Sequence, residues 1–148
     1  MIEHLHPILA SFIFPFLFLS FVTEVISYFA DVKKWQFFTS FILIVSAFMS
    51  IAAYYAGFFE FERLGDQISD KQAFIESHQL IAKIYLISLL PTTFFVILRN
   101  YTKSQFIHWI FVIFLIISII LGAVTSREGG HLVFTHGIGV KTTIDKES

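Results

Sequence analysis

The stretch Phe106–Val124, FIHWIFVIFLIISIILGAV, decides the fold, because none of its residues is Asp, Glu, Lys or Arg. A helix needs roughly 20 apolar residues to cross the hydrocarbon of a bilayer. Three further apolar runs of similar length lie at about Pro7–Ala30, Trp35–Phe59 and His78–Leu98. None of the four runs alternates polar and apolar residues, which favours helices over a β-barrel. The sequence therefore predicts an all-α protein with four transmembrane helices.

The composition agrees with a membrane protein and argues against several other classes. Of the 148 residues, 56% are hydrophobic and 14% are charged, and the mean hydropathy is +0.77. Soluble domains have about 45–50% apolar and about 25% charged residues. The net charge of −1 argues against a nucleic-acid partner, and the absence of cysteine excludes disulfides, thiolate metal sites and c-type haem attachment. We expect one transmembrane domain over residues 1–148 in a lipid bilayer.

The connections between the predicted helices indicate their arrangement in the membrane. Short links at 31–34 and 99–104 predict antiparallel neighbours and an up-down-up-down bundle. Against the single acid Asp31, these links carry Lys33, Lys34, Arg99 and Lys103. Cytoplasmic loops have an excess of Lys and Arg. We therefore predict a multi-pass protein of the inner (cytoplasmic) membrane whose N-terminus, acidic second link and C-terminal tail all lie outside the cytoplasm.

The tail after the fourth helix, residues 125–148, contains a motif unlike the rest of the chain. Gly129-Gly130 predicts a tight turn, because glycine reaches positive φ without steric cost. Leu132–Thr135 are β-formers, so a short β-like segment is expected. The following His136-Gly-Ile-Gly139 offers backbone amides between glycines, which can form an anion-binding concavity. We expect the tail to fold back over the outer end of the bundle and bring His131 or His136 to a site there.

Most of the histidines fall at that outer end in the predicted topology. In chain order they are His4, His6, His78, His131 and His136. Neutral imidazole is the commonest metal ligand in proteins, so rings that converge from separate segments indicate a binding site. The candidate cofactor-binding residues are His6, His78, His136, Gly137 and Gly139.

Two kinds of function fit this histidine cluster. In the first, the rings bind a cofactor, either a transition metal or, as the preferred alternative, haem b held by two imidazoles. Electrons then pass between quinone and a partner at the outer face of the membrane. In the second, the protein is a non-redox assembly or interaction subunit without a cofactor. No catalytic residues are predicted, since the chain has no P-loop, nucleophile elbow or HExxH motif, and whether it is an enzyme stays open.

Two polar residues within the predicted helices form a second candidate group. A carboxylate inside a membrane helix, here Glu24, is expensive and functional by default. His108 begins the fourth helix at the same inner side, so a contact between the two side chains is geometrically allowed. The alternative is a hydrogen-bonded structural carboxyl. On helix two, the small residues Ser46, Ser50, Ala53 and Gly57 predict close helix packing within the bundle or across a homo-oligomer.

Several of these residues also match a family pattern. In chain order they are His6-Pro7, Glu24, Gly57, Glu60, His78 and the stretch Gly130–Val140, GHLVFTHGIGV. Over nearly its whole length the chain resembles an uncharacterised family of small four-helix bacterial membrane proteins, domain of unknown function 2231. The resemblance implies the membrane bundle and brings no established activity. This chain has Ser11 where the family pattern has a second histidine, so any site that used that ring is altered here.

Overall fold

Four helices make up most of the chain that the computed structural model describes, which is residues 5–64, 71–102 and 104–138. They are α1 (Leu5–Ser27), α2 (Val32–Leu64), α3 (Gln72–Thr102) and α4 (Gln105–Phe134). Each is long and apolar enough to cross a membrane. No strand occurs within these described ranges. The prediction of four membrane-spanning helices in an all-α fold is therefore confirmed by length and composition.

The helices extend beyond the apolar runs from which their bounds were predicted. α2 continues to Leu64 rather than Phe59, and α3 begins at Gln72, well before His78. Hydropathy marks the part of a helix that lies in hydrocarbon, whereas polar helix formers such as Glu62 and Arg63 carry the helix onward. The sequence Ser69-Asp70-Lys71-Gln72 also predicts a helix start ahead of the third apolar run, and α3 does begin at Gln72, so His78 lies in its second turn.

The small-residue stripe on α2 lies in the bundle, as predicted. Ser46, Ser50 and Ala53 are buried, and Gly57 contacts the ring of His6. α1 packs most extensively against α2, and α3 against α4, with smaller contacts between α2 and α3 and between α1 and α4. The apolar core consists of Leu17, Leu43, Tyr85, Leu89, Val96, Phe111 and Leu115.

Hydroxyl groups connect the helices inside the bundle. The hydroxyls of Thr23 on α1 and Thr39 on α2 are 3.0 Å apart, and those of Thr92 on α3 and Ser118 on α4 are 2.8 Å apart. Association of helices in lipid depends on close packing and interhelical hydrogen bonds, because hydrocarbon solvates apolar side chains on either surface. These bonds therefore help to fix each helix against its neighbour.

The end of α4 differs from the predicted β-like tail. Gly129 and Gly130 are helical, as are Leu132, Val133 and Phe134, so the expected tight turn is wrong. β propensity is weak and depends on context, and here an established helix simply continues through residues whose backbone bonds it satisfies. The chain turns later, at Gly137, whose φ is +64° and whose N–H donates to the carbonyl of Val133 at 3.1 Å.

Candidate functional site

His6 and His78 lie next to each other at one end of the bundle. His6 is in the first turn of α1 and His78 is in the second turn of α3. Their ring centres are 6.5 Å apart and the ring planes are inclined by 75°. The sequence placed both residues at one end, and the structure brings their side chains together. We call these two rings the histidine pair.

A hydrogen bond to α2 indicates which ring nitrogen of His6 carries a hydrogen. Its Nδ1 lies 2.7 Å from the carbonyl oxygen of Ala53. A carbonyl can only accept, so Nδ1 carries the proton and Nε2 is left with a free lone pair. Histidines that bind metals commonly donate their other ring N–H to a backbone carbonyl in this way. In the neutral ring of His6, Nε2 is therefore the nitrogen that could bind a metal.

His78 has an unsatisfied polar atom at the same place. Its Nδ1 is buried and has no hydrogen-bond partner among the described residues. Buried polar atoms in native proteins are almost always paired, so each exception calls for an explanation, and a ligand is one of them. The histidine pair thus combines one ring oriented by a hydrogen bond with one ring whose Nδ1 has no hydrogen-bond partner among the described residues.

Two glycines allow the rings to lie against the helices. A Cβ atom on Gly57 would be 2.8 Å from Cε1 and Nδ1 of His6. A Cβ atom on Gly129 would be 3.2 Å from Cε1 of His78. A side chain at position 57 would therefore displace the ring of His6, and one at position 129 would require a small shift of the ring of His78. Gly57 was predicted only as a packing residue, and Gly129 only as part of a turn.

The histidine pair lines two cavities. The larger has a volume of about 350 Å³ and the smaller about 120 Å³. The larger volume falls at the lower end of the roughly 300–1,000 Å³ that is usual for ligand sites. Besides the two histidines, the larger cavity is lined by small residues (Ala10, Ser11, Ala53, Ala82, Gly122, Gly129, Gly130) and by aromatic ones (Phe14, Tyr54, Tyr85, Phe134). Its walls are thus mostly apolar.

Two further predicted histidines, His131 and His136, do not line these cavities. The ring of His136 stacks on the ring of Phe74, with 4.2 Å between the ring centres. The ring centre of His131 lies 5.2 Å from that of His136. The Lys71 ammonium donates to the carbonyl of His136 at 2.9 Å. The turn after α4 therefore returns to the start of α3, as expected of the tail. Gly137 is exposed at that turn, while His4 and Gly139 lie outside the described residues.

Within the described ranges, no group of three or more His, Cys, Asp or Glu residues is arranged to hold a metal ion. The described residues therefore do not supply the ligands of a tetrahedral metal site that is built from protein side chains alone. The histidine pair offers two imidazoles, which is the number that a haem iron takes from a protein in b-type cytochromes of the two-histidine kind.

Glu24 forms an ion pair at the opposite end of the bundle. Nη1 of Arg99 lies 2.7 Å from one carboxylate oxygen of Glu24 and 2.8 Å from the other. The guanidinium of Arg99 also lies 4.5 Å from the ring centre of Phe111. The sequence placed Arg99 in a polar link, which is wrong, because it is a buried residue of α3.

His108 joins this ion pair from α4. Its Nδ1 is 3.7 Å from the Glu24 carboxylate, so the contact that the sequence allowed is present, although Arg99 is the closer partner. Its Nε2 is 2.6 Å from the hydroxyl of Tyr28. Burial and the nearby Glu24 carboxylate raise the pKa of Tyr28 above its ordinary value, against a smaller lowering by Arg99. The phenol therefore keeps its proton while it is hydrogen-bonded to Nε2 of His108.

The four long apolar helices, together with the many large hydrophobic side chains exposed on their outer faces, define the chain as an integral, multi-pass membrane protein. It belongs to the family described as predicted membrane protein (DUF2231), whose profile matches residues 3–142. This match confirms the family resemblance seen in the sequence. No curated protein and no solved structure matches the chain.

Proposed function

We propose that the protein binds haem b between His6 and His78 and carries electrons between membrane quinone and a partner at the outer face. The observation that carries this proposal is the histidine pair, in which the carbonyl of Ala53 holds His6 in the tautomer with a free Nε2. Haem b needs no covalent attachment, so a chain without cysteine is suited to it.

The spacing of the two rings is suited to one shared metal ion, such as a haem iron. Two imidazoles on one metal have their ligating nitrogens about 4 Å apart, given metal–nitrogen bonds of about 2.0–2.1 Å. Ring centres lie farther out than ligating nitrogens, so the observed 6.5 Å between ring centres agrees with ligation of one iron. Porphyrin supplies the remaining four nitrogens, and no further protein ligand is needed.

The cavity walls also support a flat, largely apolar ligand. Glycine and alanine on α1, α2, α3 and α4 keep the helix backbones accessible beside the histidine pair. The aromatic residues Phe14, Tyr54 and Tyr85 surround the same space. Burial and the nearby dipoles set the reduction potential of a haem, so this mostly apolar surrounding would determine how readily the iron accepts an electron.

For the membrane orientation, we propose an up-down-up-down bundle in the inner membrane with the histidine pair at the outer end. Since Arg99 is paired with Glu24 inside the bundle, the short links retain Lys33, Lys34 and Lys103 for the charge bias. The opposite end carries Arg63, Lys71 and Arg127, with Lys141 and Lys146 in the tail, so a count over the whole chain does not favour this direction. The proposed direction therefore rests on the two short links alone.

The absorption spectrum of protein purified from cells supplied with a haem precursor tests the proposal. We expect a Soret band that sharpens on reduction in wild type and is absent in His6→Ala and His78→Ala. His131→Ala is the matched control, because this exposed histidine lies at the same end but outside both cavities. Colourless wild-type protein, or equal haem retention in all variants, would overturn the proposal and favour the assembly-subunit interpretation.

A quinol titration tests the electron-transfer part separately. Adding a soluble quinol to the oxidised holoprotein should reduce the haem, and the reduced form should pass its electron to an added one-electron acceptor. Haem that stays oxidised in the presence of excess quinol would remove quinone from the proposal while leaving the haem site intact.

A further inference from the structure

A larger cavity, of about 710 Å³, lies at the end of the bundle opposite the histidine pair. It is formed where α1 ends, α2 begins, α3 ends and α4 begins. Its walls consist of Ser27, Tyr28, Val32, Lys33, Gln36, Phe37, Arg99, Asn100, Ser104, Gln105 and His108. Among these described lining residues none is acidic, whereas Lys33 and Arg99 are cations and His108 is a histidine.

The acids nearest to this cavity are already engaged. Glu24 is buried beneath it and receives two hydrogen bonds from Arg99. One carboxylate oxygen of Asp31 accepts the backbone N–H groups of Lys33 and Lys34 at 3.1 and 3.3 Å, which caps the start of α2. Lys33 lines the cavity as well, and none of the described lining residues carries a carboxylate.

The start of α4 adds a second source of positive potential. Ser104 is the N-cap residue of α4, and its side chain makes no capping hydrogen bond. The first N–H groups of an α-helix have no partner within the helix, and they attract anions together with the helix dipole. Both Ser104 and Gln105 line the cavity, so these uncapped amides lie at its wall.

Arg99 provides an independent sign of a missing ligand. Its side chain is only 3% exposed, and its Nε has no hydrogen-bond partner among the described residues. A buried N–H without an acceptor is unfavourable, and more so when the group is charged. An oxygen of a phosphate in the cavity would supply this acceptor, and guanidinium–phosphate contacts are among the strongest hydrogen bonds in proteins.

We propose that this cavity binds the phosphate of an anionic phospholipid. The site lies at helix ends, where lipid headgroups are found, and basic pockets between transmembrane helices bind such headgroups. Val32 and Phe37 also line it and are 50% and 64% exposed, which offers apolar contact to the glycerol and acyl parts of a lipid. The proposal does not depend on haem binding, because the two sites are at opposite ends of the bundle.

Native mass spectrometry of the full-length protein, titrated with phosphatidylglycerol or phosphatidylcholine, tests the site. We expect one phosphatidylglycerol bound per chain and at least tenfold weaker binding of phosphatidylcholine, whose choline is repelled by Lys33. Lys33→Gln should weaken phosphatidylglycerol binding about fivefold, the factor that corresponds to about 1 kcal/mol per basic residue. Lys34→Gln is the matched control, because the neighbouring Lys34 does not line the cavity and its variant should bind as wild type does.

Ser104→Asp separates binding from folding. Aspartate is a good N-cap and its charge suits a helix N-terminus, so the melting temperature should be unchanged or higher. The same charge would repel a phosphate, so phosphatidylglycerol binding should fall at least fivefold. Equal binding of both lipids, or equal loss in Lys33→Gln and Lys34→Gln, would overturn the proposal. Full competition by millimolar inorganic phosphate would also overturn it, since the acyl part would then contribute nothing.

Discussion

Glu24 and Arg99 join α1 to α3 through an ion pair in which each side chain is only 3% exposed. These two helices are diagonal partners in the bundle, since each packs mainly on α2 and α4. The histidine pair spans the same diagonal at the other end, because His6 is on α1 and His78 on α3. Among the described residues, the ion pair at one end and the ring contact at the other thus join two helices that share little other surface.

Removing one partner of the ion pair should be more damaging than removing both. Arg99→Met or Glu24→Leu leaves an uncompensated buried charge, which costs about 3–5 kcal/mol of unfolding free energy. The double variant Glu24→Leu/Arg99→Met should regain most of that loss, because an apolar pair can replace a buried ion pair. Unfolding in detergent, followed by circular dichroism, measures all three.

The ion-pair prediction has a graded control in the same position. Glu24→Gln keeps a hydrogen-bond acceptor for Arg99 and should be milder than Glu24→Leu. His108→Leu should cost less than either, since its Nδ1 lies 3.7 Å from the carboxylate. Strictly additive losses in the double variant would show that Glu24 and Arg99 do not depend on each other.

Alanine at the three glycines beside or near the histidine pair should give effects of opposite sign. Gly57→Ala should destabilise the protein and, with haem bound at the pair, reduce haem retention, because the new Cβ would be 2.8 Å from the His6 ring. Gly129→Ala should have a smaller effect of the same kind, with a closest distance of 3.2 Å to His78. Melting temperature and haem content per chain report both.

Gly130→Ala provides the comparison for the glycine series. A Cβ at this helical position meets only Phe134, at 4.0 Å, which is an ordinary contact. Alanine is favoured over glycine in a helix by about 0.8–1.0 kcal/mol, so this variant should be as stable as wild type or more so. Equal destabilisation by all three substitutions would mean that the close contacts with the histidines are not what these glycines provide.

The substitution Ser11→His, which restores the histidine of the family pattern, should be tolerated. Ser11 is exposed, lines the larger cavity, and bonds only to the carbonyl of Ile8 in its own helix, at 2.7 Å. Changes at such positions usually stay within about 0.5 kcal/mol. Ser20→His is the contrasting control, because Ser20 in the same helix is fully buried and has no room for a ring. Failure of both variants to fold would contradict the open position of Ser11.

The proposed orientation is tested with alkaline phosphatase, which is active only after export. A fusion after Ser148 should be active, whereas a fusion after Thr102, between α3 and α4, should be inactive. The reverse pattern would place the histidine pair at the cytoplasmic side and would remove an outer partner from the electron-transfer proposal.

The sequence was sufficient for the helices but not for their ends. Long runs without charge, such as Phe106–Val124, predict a membrane helix directly, since its cost in lipid depends on composition alone. Where a helix stops depends on contacts that local propensity does not contain. Gly129 and Gly130 illustrate this, because the residues suggested a turn, while the structure continues the helix past them with Gly129 against the ring of His78.

The convergence of His6 and His78 could be predicted because helix direction alone brings their positions to one end. Arg99 was missed because a cation near the end of an apolar run resembles a loop charge. The sequence of α3 nevertheless contained a signal. From the middle of this helix onward, successive buried residues are three or four positions apart. These positions are Tyr85, Leu89, Thr92, Val96 and Arg99. A charge in register with such a stripe points inward, towards a partner such as Glu24.

The diagonal contacts have a consequence for how the protein is assembled. α1 with α2, and α3 with α4, are the extensively packed pairs, so each pair resembles a half-molecule. Each half supplies one residue to the histidine pair and one to the ion pair: His6 and Glu24 from the first, His78 and Arg99 from the second. Neither half alone contains a complete polar centre. Both contacts therefore form only when the two halves pack together correctly. A chain whose halves mispair leaves an unpaired charge of Glu24 or Arg99 in lipid, and quality-control proteases recognise defects of this kind.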